Sequence, residues 1–188
     1  MTSRKPKVKS YPKAQLINLC PPKRFNRKLF NRMIRTEQFA NLNNNKFAMV
    51  NKPTGGLWTS TYQPHDYYLS SWIKWCKDNQ SEWIGHDCIL IEIETTARVY
   101  TIDNWDNLKA LYFLYGYEYK DKAKIDWIKV QKSFDIIHLT ENGEYECSNP
   151  YQILNDSKKL DLYGWDCESS LMLNNVINRF KQITNTRR

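Results

Sequence analysis

The stretch LYGWDCESSLML, residues 162–173, holds the residues best placed to do chemistry. Asp166 and Glu168 stand two apart, a spacing that in a strand points both carboxylates to one face, while Leu171 and Leu173 fall on the opposite parity and suit a core. Two acids on one face ordinarily mark a solvated strand. Here the neighbours Tyr163, Gly164, Trp165 and Cys167 are too apolar or too permissive for an exposed edge, so the sequence predicts a concave, partly desolvated site. A carboxylate fixed in such a site can stabilise the cation that develops when a glycosidic bond breaks, and can hold a sugar hydroxyl.

A second cluster complements the first. In KPTGGLWTSTY, residues 52–62, Gly55 and Gly56 allow a tight turn or a close backbone approach, and Trp58, Thr59, Ser60, Thr61 and Tyr62 follow as a strand of alternating hydroxyls and aromatics. Hydroxyls and amides beside two glycines suit ribose and phosphate, and a Trp or Tyr face suits a nicotinamide or adenine ring. A Gly-Gly turn before a Thr-rich strand also serves structure alone. Next comes a helix that Asp66 would cap, with Tyr68, Trp72, Trp75 and Cys76 on one face; such a stripe reads first as core.

The elements that must position these groups follow from periodicity. A strand is expected at 14–19, then an amphipathic helix through Phe25, Leu29, Met33 and Ile34 with a basic outer face. KFAMVN, 46–51, alternates as a strand; 88–94 and 97–102 are further strands. Asp103 would cap a helix through Leu108, Leu111, Tyr112 and Tyr115. YKDKAK, from Tyr119 to Lys124, reads as a charged loop, and a short helix surrounds Trp127, Val130 and Phe134. FDIIHLT and EYECS, joined by Glu141-Asn142-Gly143, read as a hairpin, because Asn-Gly favours turns that match strand twist. Asn149, Pro150 and the DSKK run read as a surface loop. NNVINRFKQI reads as a final helix with Val176, Ile177, Phe180 and Ile183 inward. The fold class expected is α+β: one catalytic domain over 14–188 behind a flexible basic arm, 1–13.

Composition narrows the setting. The 188 residues carry a formal charge of +8, concentrated near both ends, which suits a polyanionic partner such as RNA or DNA. Five cysteines without C-x-x-C spacing argue against both a zinc site and a disulfide framework. With no apolar leader and no stretch of about 18 apolar residues, the expectation is a cytoplasmic protein that does not contact a membrane. The histidines are not obvious catalysts: His138 alternates inside FDIIHLT as a structural residue would, and His65 and His86 lie at element ends. A metal-independent ribonuclease built on His65, Lys52 and Tyr62 has no spacing that demands it.

GGLWTSTY, the Trp-rich helix, FDIIHLTENGEYEC and LYGWDCESSLML together resemble bacterial and phage proteins of the ADP-ribosyltransferase fold, over roughly residues 46–173. The resemblance implies a compact split β-sheet core with flanking helices and NAD as substrate, with no metal. It makes Glu168 the catalytic glutamate and the Thr59-Ser60-Thr61 segment the second family motif, and it puts Asp166 where members carry the residue that orients the acceptor. Gly55, Gly56, Trp58, Tyr62 and Trp72 would complete the NAD pocket. The first-strand Arg or His is missing from 14–19, leaving Lys52 or Lys13 as substitutes. The resemblance further implies a toxin or antiphage effector, with an antitoxin as partner. The basic exterior favours RNA or another nucleic acid over a protein side chain as acceptor. Rival readings are a nucleic-acid-binding module without enzymatic activity and, within the same fold, an RNA 2'-phosphotransferase.

Overall fold

The computed structural model describes residues 15–19, 27–32, 34, 39, 41–44, 50–66, 68–84, 87–120, 122–148, 153–154 and 158–184. The basic arm, Lys13, Cys20, His86, most of KFAMVN, and Asn149 with Pro150 lie outside them.

The chain is a mixed α+β protein. A seven-stranded sheet is ordered β11-β3-β1-β2-β10-β7-β4, and a four-stranded sheet is ordered β5-β6-β9-β8. The strands are β1 (Gln15–Leu19), β2 (Leu57–Thr61), β3 (Asp87–Ile93), β4 (Val99–Ile102), β5 (Gly116–Tyr119), β6 (Lys122–Ile125), β7 (Ile136–Leu139), β8 (Ile153–Leu154), β9 (Lys158–Lys159), β10 (Ser169–Met172) and β11 (Ile177–Thr184). The helices are α1 (Arg27–Arg32), α2 (Ser71–Asn79), α3 (Trp105–Tyr115), α4 (Trp127–Ser133) and α5 (Glu141–Cys147). In the large sheet β4 and β7 are parallel and the other neighbours antiparallel.

Strand alternation divides the core. Ile137, Leu139, Tyr100, Ile102 and Leu171 pack under α3, α4 and α5 with Trp127 and Trp165. On the opposite parity Ile136, Val99, Met172, Leu57, Ile89, Ile91 and Ile93 meet Phe30 of α1 and Ile34. A third cluster joins Leu69, just before α2, and Ile73 of α2 to Cys88 and Leu90 of β3. Each fully buried aliphatic contributes about 1.5–3 kcal/mol, which is why a sheet with both faces covered tolerates near-continuous apolar strands.

Several local expectations are overturned. FDIIHLT and EYECS are not a hairpin: β7 is followed at once by α5, whose N-cap Thr140 accepts from the Gly143 amide. Gly143 is glycine because a side chain there would run into the Ile102 carbonyl oxygen. NNVINRFKQI is not a helix but β11, paired with β3 through a bulge between Ile177 and Arg179. The extra residue puts Ile177 and Phe180 on one face, imitating an i, i+3 helical stripe. YKDKAK is not a loop, since β5 and β6 pair across it, and Lys124 is buried with its ammonium on the Val50 carbonyl at 2.9 Å. Burial, then repulsion from Lys122, push that ammonium below its ordinary range. The helix caps also differ: Ser70 caps α2 and Asn104 caps α3, in place of Asp66 and Asp103. Lys158 and Lys159 of the DSKK run form β9.

Candidate functional site

The site forms at the middle of the large sheet, where β2 lies between β1 and β10. Ser170 of β10 stands beside Thr59 of β2 and His138 of β7 in register, and Glu168 sits just before β10 begins. Register therefore brings together residues separated by about a hundred positions.

Glu168 is buried, 5% exposed, and its carboxylate is fully engaged. Ser60 Oγ donates to Oε2 at 2.6 Å, Thr61 Oγ1 donates to Oε1 at 2.8 Å, and the Thr61 amide donates at 3.1 Å to Oε2. The Ser60 hydroxyl has one proton; the short charge-assisted contact claims it, leaving the oxygen to accept from the Trp72 amide in the first turn of α2 at 3.3 Å. Burying a carboxylate without such donors would cost several kcal/mol, so these hydroxyls are what make the position tenable.

His138 completes the cluster. Its Nδ1 lies 2.9 Å from Ser170 Oγ and 3.5 Å from Glu168 Oε1. Burial pushes the imidazole below its ordinary range, while the charges of Glu168 and Asp103 pull the other way. Reading the sequence as alternation within one strand missed this residue. The only signal for it was that the β7 and β10 segments were both candidate strands; their register was not available.

The other candidate residues are placed as follows. Asp166 does not share the buried setting of Glu168, since its side chain is 40% exposed and 4.0 Å from Lys52 Nζ. The strand starts only at Ser169, so the two-residue spacing does not carry both acids onto one face. Lys52 donates to the Gly164 carbonyl at 2.6 Å and lies 4.8 Å from the Trp58 ring centroid, tying the turn before β2 to the segment before β10. Gly55 and Gly56 adopt φ of +82° and +67°, and Gly56 backs onto the Leu171 side chain and the Met172 carbonyl. Gly56 thus approaches β10, whereas Gly55 approaches the backbone of Asn41 and Leu42. Thr59 Oγ1 donates to the Ser170 carbonyl at 3.0 Å, and Trp58 packs edge-on against Trp165 at 4.6 Å. Tyr62 packs against the α2–β3 cluster, and His65 is exposed.

Trp72 and Trp75 are not core. They stack at 5.1 Å with 9° between planes, and neither belongs to any of the three clusters. Burial, above all, pushes the Cys167 thiol beside the site up to about 12, which disfavours its thiolate. Among the described residues no group of His, Cys, Asp and Glu could hold a metal ion, and no helix is long and apolar enough to cross a membrane.

Compared with protein-family models, curated proteins and solved structures, the chain matches none.

Proposed function

We propose that the chain is an NAD-dependent mono-ADP-ribosyltransferase of ADP-ribosyltransferase-like fold, acting on a nucleic acid, RNA foremost, as a toxin or antiphage effector. The observation that carries this reading is the buried Glu168 carboxylate held by Ser60 and Thr61. Cleavage breaks the bond between ribose C1 and the nicotinamide nitrogen; nicotinamide leaves neutral with the electron pair, and the ribose becomes oxocarbenium-like. A carboxylate already oriented by three donors opposes that charge without reorganising. The acceptor nucleophile then bonds to C1 and passes its proton to Asp166, which is exposed beside Lys52 and would also orient the acceptor. Trp72, joined to Ser60 through its amide, is the candidate ring for the donor pocket.

A second reading has its own support. A carboxylate 5% exposed with both oxygens bonded also serves as a pin between β2 and β10, which would leave a nucleic-acid-binding module without chemistry. The discriminating experiment incubates the protein with NAD and either cellular RNA or cellular protein. The transferase reading predicts nicotinamide release and an added ADP-ribose mass on RNA. Absence of turnover with every acceptor favours the binding module.

A further inference from the structure

His138 is an ionisable group to which the reaction above gives no role. It is 9% exposed and lies on β7 between Thr101 of β4 and Ser170 of β10 in register. Its Nδ1 meets two groups at once, Ser170 Oγ at 2.9 Å and Glu168 Oε1 at 3.5 Å. Either neutral tautomer satisfies the first contact, because a serine hydroxyl can donate to the nitrogen or accept from it.

The second contact changes character with protonation. Beside a neutral ring the carboxylate keeps its full charge, since Ser60 Oγ, Thr61 Oγ1 and the Thr61 amide are all uncharged donors. Beside an imidazolium it becomes half of an ion pair in a buried, weakly screened site. That cation would cancel much of the field that an oxocarbenium-like ribose is to meet.

The surroundings of the ring decide which form is present. On the β4 side stand Thr101 and, just past the strand, Asp103, which accepts from Thr140 Oγ1 at 2.6 Å. On the β10 side stand Ser170 and the preceding Glu168. At the start of α5 the cap Thr140 is neutral, and Glu141 accepts from Ser71 of α2 at 2.9 Å. Glu168 and Asp103 favour the imidazolium, but burial outweighs them and keeps the ring neutral at pH 7.

We infer that His138 is a positioning residue that gates the site: neutral, it leaves the charge of Glu168 to the substrate, and protonated, it takes that charge for itself. This rests on the transferase reading given above.

Two measurements on the full chain test it, both over the pH range in which circular dichroism shows the protein folded. In the first, the His138 ring resonance, identified by its loss in His138→Gln, is followed by NMR through a pH titration of wild type and of Glu168→Gln. Removing the carboxylate removes a charge that favours the imidazolium, so the midpoint should move to lower pH. An unchanged midpoint, or a wild-type ring that stays neutral until the chain unfolds, overturns the inference.

In the second, nicotinamide release from NAD is measured against pH, each protein relative to its own plateau. Wild-type release should fall about tenfold per pH unit below the midpoint of the ring. In His138→Gln, whose side chain gains no charge, the acid limb should move to lower pH; His138→Asn is read in the same way if the first variant does not fold. A ring that only packs would lower release equally at every pH and leave the limb in place, which overturns the inference while the transferase stands. No release by wild type at any pH, with the ring still coupled to Glu168, overturns the transferase reading and leaves the pair a structural one.

Discussion

At the scale of single residues, the centre of the site is a question of how one carboxylate is kept in the sheet interior. Ser60 and Thr61 supply the donors, and His138 stands against the same oxygen through Oε1 at 3.5 Å. His138 gives this network a pH signature. Its folded imidazole resists protonation chiefly because it is buried, whereas in the unfolded chain it takes a proton near about 6.5. Between those values the unfolded state binds more protons, so stability rises with pH across that window. The contribution is complete above about 6.5 and is lost as pH falls toward the folded value. Urea midpoints for wild type and His138→Gln, taken on both sides of pH 6.5, should show a steeper acid loss in wild type; parallel curves would contradict it. Thr59, Ser60 and Glu168 stood out in the sequence by type, but the hydroxyls were expected to face ribose and phosphate, whereas Ser60 and Thr61 bond the Glu168 carboxylate itself. His138 did not stand out, because its importance comes from the β7–β10 register, which no local pattern contains.

At the scale of elements, α5 shows two forces in conflict. Alanine normally beats glycine inside a helix by about 1 kcal/mol, so Gly143→Ala would stabilise an unpacked helix. Here the added methyl meets the Ile102 carbonyl at the end of β4, and overpacking of that kind costs about 1–3 kcal/mol. The clash should win: chemical denaturation should give a net loss in Gly143→Ala, and a gain would mean that α5 does not press on β4. The same glycine explains why the hairpin expectation failed, since Asn142-Gly143 carries a turn signal while the glycine is there for close approach. β11 failed for a related reason. Its bulge converts strand alternation into a three-residue step, and only the unpaired edge of β3 decides for a strand. Elements whose apolar period matches a single template were legible, among them β1, β2, β3, β4, α2, α3 and α4. Asp135 shows how the strands are then tied. Burial would raise its carboxyl, yet hydrogen bonds from the Arg98 side chain and amide and from Asn174 outweigh it and hold the group below its usual range.

At the scale of the molecule, the α+β class was legible, and so was the pairing of an early hydroxyl strand with a late acidic segment. The sheet order was not, because β1, β2 and β10 become neighbours only through crossovers of great sequence length. That order places Glu168 between a rigid sheet and the N-terminal turn of α2, with an aromatic surface alongside. The central claim is that this carboxylate faces a developing cation and is more than a pin between strands. Its most direct test is nicotinamide release from NAD by wild type and by Glu168→Gln, with thermal melting on the same samples. The account predicts that the variant stays folded while release falls by on the order of a hundredfold or more. Equal release by the two proteins, or none by folded wild type with any acceptor, would contradict it.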